Sequence, residues 1–347
     1  MRKVQIDKFA SATFRLQIPN PAPVSHDPYP KIGDVIVARA LNENPSYPNL
    51  ELTTGELAPI REGEVIAGVV GSRQALRGYV GYAPYRVRKD DVLAVLNIGG
   101  VIGRHLDGPA DLGGPVRVKV LGLAMNGKEP FNMSLNAIKP LWSLPASAPI
   151  VLVAGSCMNV GKTETAVRLI DAFVRRGLKV SAAKLSGVAA LKDVRRLEGA
   201  GAHRVLSFID AGFPSTIDVE ASEWSGPFKG IIAALNDDHP DLLVVELGDG
   251  ILGRYRVDEI VSDENLMQFV AATIVCATDL AAAFGARETL NRLGLIPTIF
   301  SGPVTDTIAG SEYIEEKFGI PALNALKHAD KMAGLLLDRV ARFREAA

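Results

Sequence analysis

The sequence predicts an α/β fold in two parts: a mainly parallel sheet domain over residues 150–347, preceded by a small β-barrel or β-sandwich domain over residues 1–139. Three observations carry that expectation. Up to about residue 145 the chain is rich in Gly and Pro, and short β-branched runs stand between turn signals with no helical periodicity. The segment 140–149 holds three prolines, Pro140, Pro145 and Pro149, which deny a helix and interrupt sheet pairing, so it reads as a linker. Beyond it strands alternate with helical segments, the pattern of a parallel sheet covered on both faces.

In the first part Lys31-Ile-Gly-Asp-Val-Ile, Arg61-Glu-Gly-Glu-Val-Ile and Arg88-Lys-Asp-Asp-Val-Leu each set a charged turn before a β-branched run. Strands are expected at 35–38, 65–70, 92–97 and 116–121, mostly antiparallel. In the second part the apolar run 150–154 is a strand buried on both faces. Ala166, Leu169, Ile170 and Phe173 recur at helical spacing after it, and Gly177 caps that helix. Further strands are expected at 180–183, 205–209, 242–246, 274–277 and 298–300. A last helix over 325–342 carries Leu326, Met332, Leu335, Leu336 and Val340 as its core stripe.

Composition excludes several classes. A chain of 347 residues is long enough for two domains, and 38 basic against 39 acidic residues leave a net charge of -1. No basic footprint for nucleic acid follows from that balance. Two cysteines, Cys157 and Cys276, cannot make a disulfide framework or a four-ligand zinc site, and a reducing cytoplasm is the simplest compartment. No apolar h-region follows the N-terminus, and no run approaches the roughly 20 apolar residues of a spanning helix, so a soluble protein without a membrane partner is expected. His105, His203 and His328 lack metal-ligand spacing.

The sharpest feature is Gly155-Ser156-Cys157-Met158-Asn159-Val160-Gly161-Lys162-Thr163, between a buried strand and an amphipathic helix. A loop there turns backbone N–H groups onto a phosphate, and the helix N-terminus adds partial positive charge. Lys162 is expected on the β/γ-phosphates and the Thr163 hydroxyl on Mg²⁺. The strict spacing puts the first glycine at 156, which is Ser156; Gly155 lies one residue early.

With its Gly-x5-Gly-Lys-Thr loop, the following Arg176-Gly177-Leu-Lys-Val180 and the strand ending Lys184-Leu-Ser186-Gly187, the chain resembles dethiobiotin synthetase over about residues 150–305. It is also similar to the cobyric and cobyrinic acid amide synthases. The resemblance implies a P-loop NTPase-like domain that uses ATP and Mg²⁺ to activate a carboxylate or carbamate as a mixed phosphate anhydride. It carries Lys162, Thr163 and Lys184 over as functional residues. Leu242-Leu-Val-Val-Glu246-Leu-Gly248-Asp249-Gly250 is similar to the families' strand ending in Glu-Gly, whose carboxylate binds Mg²⁺; the extra Leu247 leaves Glu246 and Asp249 both open as the metal residue. No counterpart of the amide synthases' glutaminase domain is expected within these residues.

Other polar residues admit two readings. Lys184 at a strand end suits a γ-phosphate or is a solvated lysine, and Ser186 and Gly187 follow it as substrate-side candidates. Asp210, with Ser215 and Thr216 behind it, suits metal, water or substrate contacts, or is an Asx-turn residue before Ser/Thr caps. Asp193 reads as a solvated helix face. Thr278-Asp279 and Thr305-Asp306 end later strands, and no Asn-Lys-x-Asp guanine reader occurs, which favours ATP over GTP. Cys157 reads as a small loop residue, and the segment 71–78, with Arg73 and Arg77, either offers anion-binding groups or is a basic turn.

Three functions compete at this stage. The first is an ATP- and Mg²⁺-dependent ligase-like enzyme acting on a small-molecule carboxylate. The second uses the loop for the phosphates of coenzyme A, as an N-acyltransferase. The third is a nucleotide-binding adapter or chaperone in cofactor biosynthesis, against which stand the lack of a loop lysine before Lys162 and of Cys/His clusters. The N-terminal part is expected to act as a lid, a substrate wall or a homodimer contact.

Overall fold

The computed structural model describes residues 2–25 and 29–346. No helix among them is long and apolar enough to cross a membrane. The chain forms two compact units: Met1–Ile138 with Val188–Lys192 and Phe208–Glu220, and Lys139–Gly187 with Asp193–Ser207 and Ala221–Ala347.

In the first unit five strands close a ring. They are β1 (Val35–Ala40), β2 (Val65–Val70), β3 (Val92–Val95), β4 (Val101–Asp107) and β5 (Arg117–Asn126). β5 pairs with β1, β1 with β2, β4 with β3 and β3 with β5, all antiparallel, and β2 pairs with β4 in parallel. Because β5 meets both ends of that path, the architecture is a barrel, and the sandwich alternative falls away. Period-2 alternation sends Ile36, Ala38, Ile66, Val70, Val95, Ile102, Val118 and Val120 into one apolar cluster. β3 stops at Val95 because Asn97 turns the chain: its Oδ1 accepts the Val101 N–H at 3.0 Å, and its Nδ2 donates to the Ala189 carbonyl at 2.6 Å.

The two later segments are held to this unit by polar contacts. Glu51 Oε2 accepts the Leu191 N–H at 2.5 Å, and Asp218 Oδ2 accepts the Ser72 N–H at 2.8 Å. Hydrophobic periodicity is silent about such attachments, since each rests on one or two buried polar partners distant in sequence.

The second unit is a six-stranded sheet. Its strands are β6 (Ile150–Gly155), β7 (Val180–Lys184), β8 (Val205–Ser207), β9 (Leu242–Glu246), β10 (Val270–Cys276) and β11 (Ile299–Ser301). Their order is β8-β7-β9-β6-β10-β11, and every pairing is parallel. Its helices of eight or more residues are α1 (Lys162–Val174), α2 (Lys192–Gly199), α3 (Ala221–Asn236), α4 (Leu280–Arg292), α5 (Ile308–Phe318) and α6 (Ala325–Ala346). Val151, Val153, Val244 and Ile274 on the sheet pack with Leu169, Phe173, Met332 and Leu336 on the helices. Gly177 closes α1 in a Schellman motif, with Gly177 N–H on the Val174 carbonyl at 2.8 Å and Leu178 N–H on that of Phe173 at 3.2 Å.

Two details depart from the sequence expectation. β8 ends at Ser207, because the next segment, Phe208–Glu220, belongs to the first unit. In the last helix Met332, Ala333, Leu336 and Val340 are buried, whereas Leu326 is 61% exposed and Leu335 37%. His328 breaks the helical dihedrals at φ -132°, so Leu326 is out of phase with the rest, and Leu335 lies about 100° round from Leu336.

Candidate phosphate-binding site

β6 lies between β9 and β10, and the chain leaves it toward β7 on one side before returning through β9 to β10 on the other. Such a reversal opens a crevice at the carboxyl ends of the strands. Register then fixes which residues meet there. Val153 and Lys184 both align with Glu246, Gly155 aligns with Cys276, and Cys276 with Ser301.

The loop after β6 wraps the start of α1. Asn159 at φ 59° and Gly161 at φ 89° turn it, and no side chain caps the helix, so its first N–H groups lack intrahelical acceptors. Lys162, 5% exposed, folds back and donates from Nζ to the Cys157 carbonyl at 2.7 Å. Ser156 N–H donates to the Cys276 carbonyl at 2.9 Å, and the Gly155 carbonyl accepts the Ile251 N–H at 2.8 Å. The early glycine has a steric reason: a Cβ on Gly155 falls 2.6 Å from Val160 Cγ1 and 2.9 Å from Lys162 Cδ.

The carboxylate of Glu246 organises the opposite wall. Thr163 Oγ1 donates to its Oε1 at 2.8 Å, and Lys184 Nζ stands 3.9 Å from the same oxygen. Lys184 also forms an ion pair with Asp193. Oε2 of Glu246 is buried and has no hydrogen-bond partner. Burial pushes the Glu246 carboxyl above the ordinary glutamate range, against the pull of Lys184. For Lys162 burial also dominates and pushes the ammonium down, with Glu246 opposing. Burial works against the Lys184 ammonium as well, but Asp193 and Glu246 outweigh it and hold its pKa above the ordinary lysine range. Cys276 is a neutral thiol pushed up to about 11 by burial, with the Thr165 hydroxyl 3.4 Å away.

The turn after β9 sits tightly on this wall. Ser186 Oγ donates to the Gly248 carbonyl at 2.9 Å, and a Cβ on Gly248 falls 2.1 Å from the Ser186 carbonyl oxygen. Asp249, at φ 65°, accepts the Gly250 N–H at 2.9 Å. Among the described residues no group of three or more His, Cys, Asp or Glu side chains could hold a metal. Magnesium needs no such cage: one or two protein oxygens with phosphate and water complete its shell. Thr163 and Glu246, with one carboxylate oxygen lacking a partner, fit that donor set. The unit has a P-loop NTPase-like fold.

The predicted residues therefore divide. Lys162, Thr163, Lys184, Glu246 and the loop 155–163 come together, with Ser186 and Gly187 beside them. Asp210, Ser215 and Thr216 belong to the first unit, where Arg15 Nη1 pairs with Asp210 Oδ1 at 2.6 Å, and the Ser215 hydroxyl is buried without a partner. Asp193 corrects the expectation of a solvated face: it is in the first turn of α2 and closes on Lys184. Its signal in the sequence was only an acid opening a helix a few residues after a strand-end lysine. Gly248 stands in the sequence only as the glycine of the Glu-Leu-Gly run; its close approach to Ser186 leaves no mark there.

No family model matches the chain, and no curated protein matches it. Among solved structures it is similar to a DUF1611 family protein from Anabaena variabilis, with 13% identity and a TM-score of 0.43 over 63% of this chain and 66% of that one. The chloroplast FtsY of Physcomitrella patens gives 16% identity and a TM-score of 0.38, over 60% of this chain and 70% of that one. The signal recognition particle 54 kDa protein of Aeropyrum pernix, solved in complex with GDP, gives 19% and 0.37 over 58% of this chain and 51% of that one. This chain thus spans just under two thirds of the first of these proteins and about half of the third.

Proposed function

We propose that the chain binds ATP with Mg²⁺ at residues 155–163 and transfers the γ-phosphoryl group to a small carboxylate, as a ligase-like enzyme of the dethiobiotin synthetase kind. The observation that carries this reading is the second lysine: Lys184 approaches the same Glu246 oxygen that takes the Thr163 hydroxyl. A phosphate-holding lysine, a magnesium hydroxyl, an acid and a further cation on one strand edge are what phosphoryl transfer asks of a protein.

In this reading Lys162 exchanges the Cys157 carbonyl for phosphate oxygens. Thr163 and Glu246 would hold the metal, which would neutralise charge on the phosphate oxygens. Lys184, kept charged by Asp193, faces the charge that develops as the acceptor carboxylate oxygen bonds to the γ-phosphorus and the bond to the β-phosphate oxygen breaks. The products are ADP and an acyl phosphate, whose carbonyl a bound amine or carbon nucleophile attacks with loss of phosphate.

Thermal-shift titration distinguishes the partners, since a ligand that binds only the native state raises the melting temperature. ATP with Mg²⁺ is expected to stabilise the protein, and acetyl-CoA is not. Hydroxylamine added with ATP and a panel of small carboxylates is expected to yield a hydroxamate with one of them. Stabilisation by acetyl-CoA alone would move the assignment to acyl transfer; ATP turnover raised by a macromolecule only, with no hydroxamate, would move it to an adapter.

A further inference from the structure

We propose that the barrel unit carries a second binding site, for a small organic acid with an apolar body, in a cavity of about 760 Å³ beside Arg104, His105 and Arg117. The size lies within the roughly 300–1,000 Å³ of small-molecule pockets.

Its wall is built rather than incidental. Asn44, 4% exposed, donates from Nδ2 to the Tyr79 hydroxyl at 2.7 Å and to the Leu112 and Gly114 carbonyls, each at 3.0 Å. Its Oδ1 accepts the N–H groups of Ser46 at 2.8 Å and Tyr47 at 3.0 Å. One buried amide thus ties both loops that border the cavity. Tyr79, itself fully buried, meets the His105 ring edge-on at 5.5 Å and 83°. The β4 register shifts between His105 and Asp107, a bulge of the kind that re-aims side chains at barrel rims.

The charge around the cavity is one-sided. Glu43 is the one acid among the described lining residues, and Arg61 pairs with it at 3.2 Å. Among the described residues the Arg104 guanidinium donates to the Arg86 carbonyl alone, at 3.3 Å. Arg117 is tied through its backbone N–H, which donates to Asn42 Oδ1 at 2.9 Å, and its register partner across β3 is the small Ala94. Among the described residues neither arginine has a carboxylate partner, which suits a carboxylate ligand that a guanidinium takes in a fork. Val92, Leu93 and Pro115 supply an apolar side, which inorganic phosphate would leave unused and an aromatic or aliphatic body would cover.

The probe is 2-naphthoate, titrated into the full-length protein by calorimetry and by its own fluorescence. Saturable one-to-one binding is expected, unchanged by Lys162→Ala, weakened at least tenfold by Arg104→Gln or Arg117→Gln, and not displaced by inorganic phosphate. The neutral amide, 2-naphthamide, is expected to bind at least tenfold more weakly to the unaltered protein, which keeps the test decisive if a variant fails to fold. Absence of saturable naphthoate binding, equal binding of the amide, full affinity in the double arginine variant, or loss of binding in Lys162→Ala would each overturn the proposal.

Discussion

The Thr163 hydroxyl donates to Oε1 of Glu246 at 2.8 Å, while Oε2 of the same carboxylate is buried with no hydrogen-bond partner. A buried acceptor in that condition weakens the fold by about 1–3 kcal/mol unless something binds it. The strand-end acid is therefore better suited to a cation than to stability.

Glu246→Gln tests this directly. Burial raises the folded-state pKa of Glu246, so its contribution to stability is greatest below the unfolded glutamate pKa and is lost as pH rises through the raised value. The uncharged amide is expected to remove that slope and to hold or raise the melting temperature of the nucleotide-free protein at neutral pH. Nucleotide turnover is expected to fall by about 100-fold or more. Melting curves against pH and phosphate-release assays measure both.

Lys184→Met should behave in the opposite way. It leaves Asp193 and Glu246 facing one another without their shared cation, and breaking a buried ion pair from one side costs about 3–5 kcal/mol. Because the folded-state pKa of Lys184 is raised, its contribution is fully present below the unfolded lysine pKa and fades only as pH rises through the raised value. Urea unfolding at pH 7 is expected to show the loss in full, and adding Asp193→Asn is expected to restore part of it. No recovery in the double variant would show that Asp193 does not share that cation.

Gly248→Ala places a methyl group 2.1 Å from the Ser186 carbonyl oxygen, a backbone atom that cannot swing away. Overpacking of this sort costs about 1–3 kcal/mol. Denaturant titration should register it, and because the Gly248 turn borders the strand edge of Lys184 and Glu246, nucleotide affinity measured by calorimetry should fall as well.

The two cysteines should separate under alkylation. Cys276 is buried, and its thiol, pushed up to about 11, stays protonated at neutral pH. Cys157 is partly accessible within the loop. Maleimide at pH 7.5 followed by mass spectrometry is expected to label Cys157 alone, and ATP with Mg²⁺ to slow that labelling. Equal labelling of both would contradict the burial of Cys276.

Much of this is legible in the sequence. The loop 155–163, the helix with Leu169, Ile170 and Phe173 on one face, and the strand ends at Lys184 and Glu246 follow from local patterns. The pairing of Asp193 with Lys184 is not legible there, because periodicity reports which face of a helix is polar and not what stands opposite it. The choice between Glu246 and Asp249 stayed open in the sequence for the same reason: three residues apart, both follow the same apolar run. The barrel was legible as short strands, but its closure through the pairing of β3 with β5 was not.

By itself the sequence determined what local chemistry controls: which segments are strands or helices, and where a phosphate loop can form. The tertiary structure alone decided which groups meet. Strand order β7-β9-β6 carries Lys184 and Glu246 to the loop, register sets Lys184 level with Glu246, and segments 188–192 and 208–220 join the barrel unit although they are flanked by strands of the other sheet. The reason is physical: dihedral preference and hydrophobic period act over a few residues, whereas strand order and buried polar pairing depend on partners dozens of residues away.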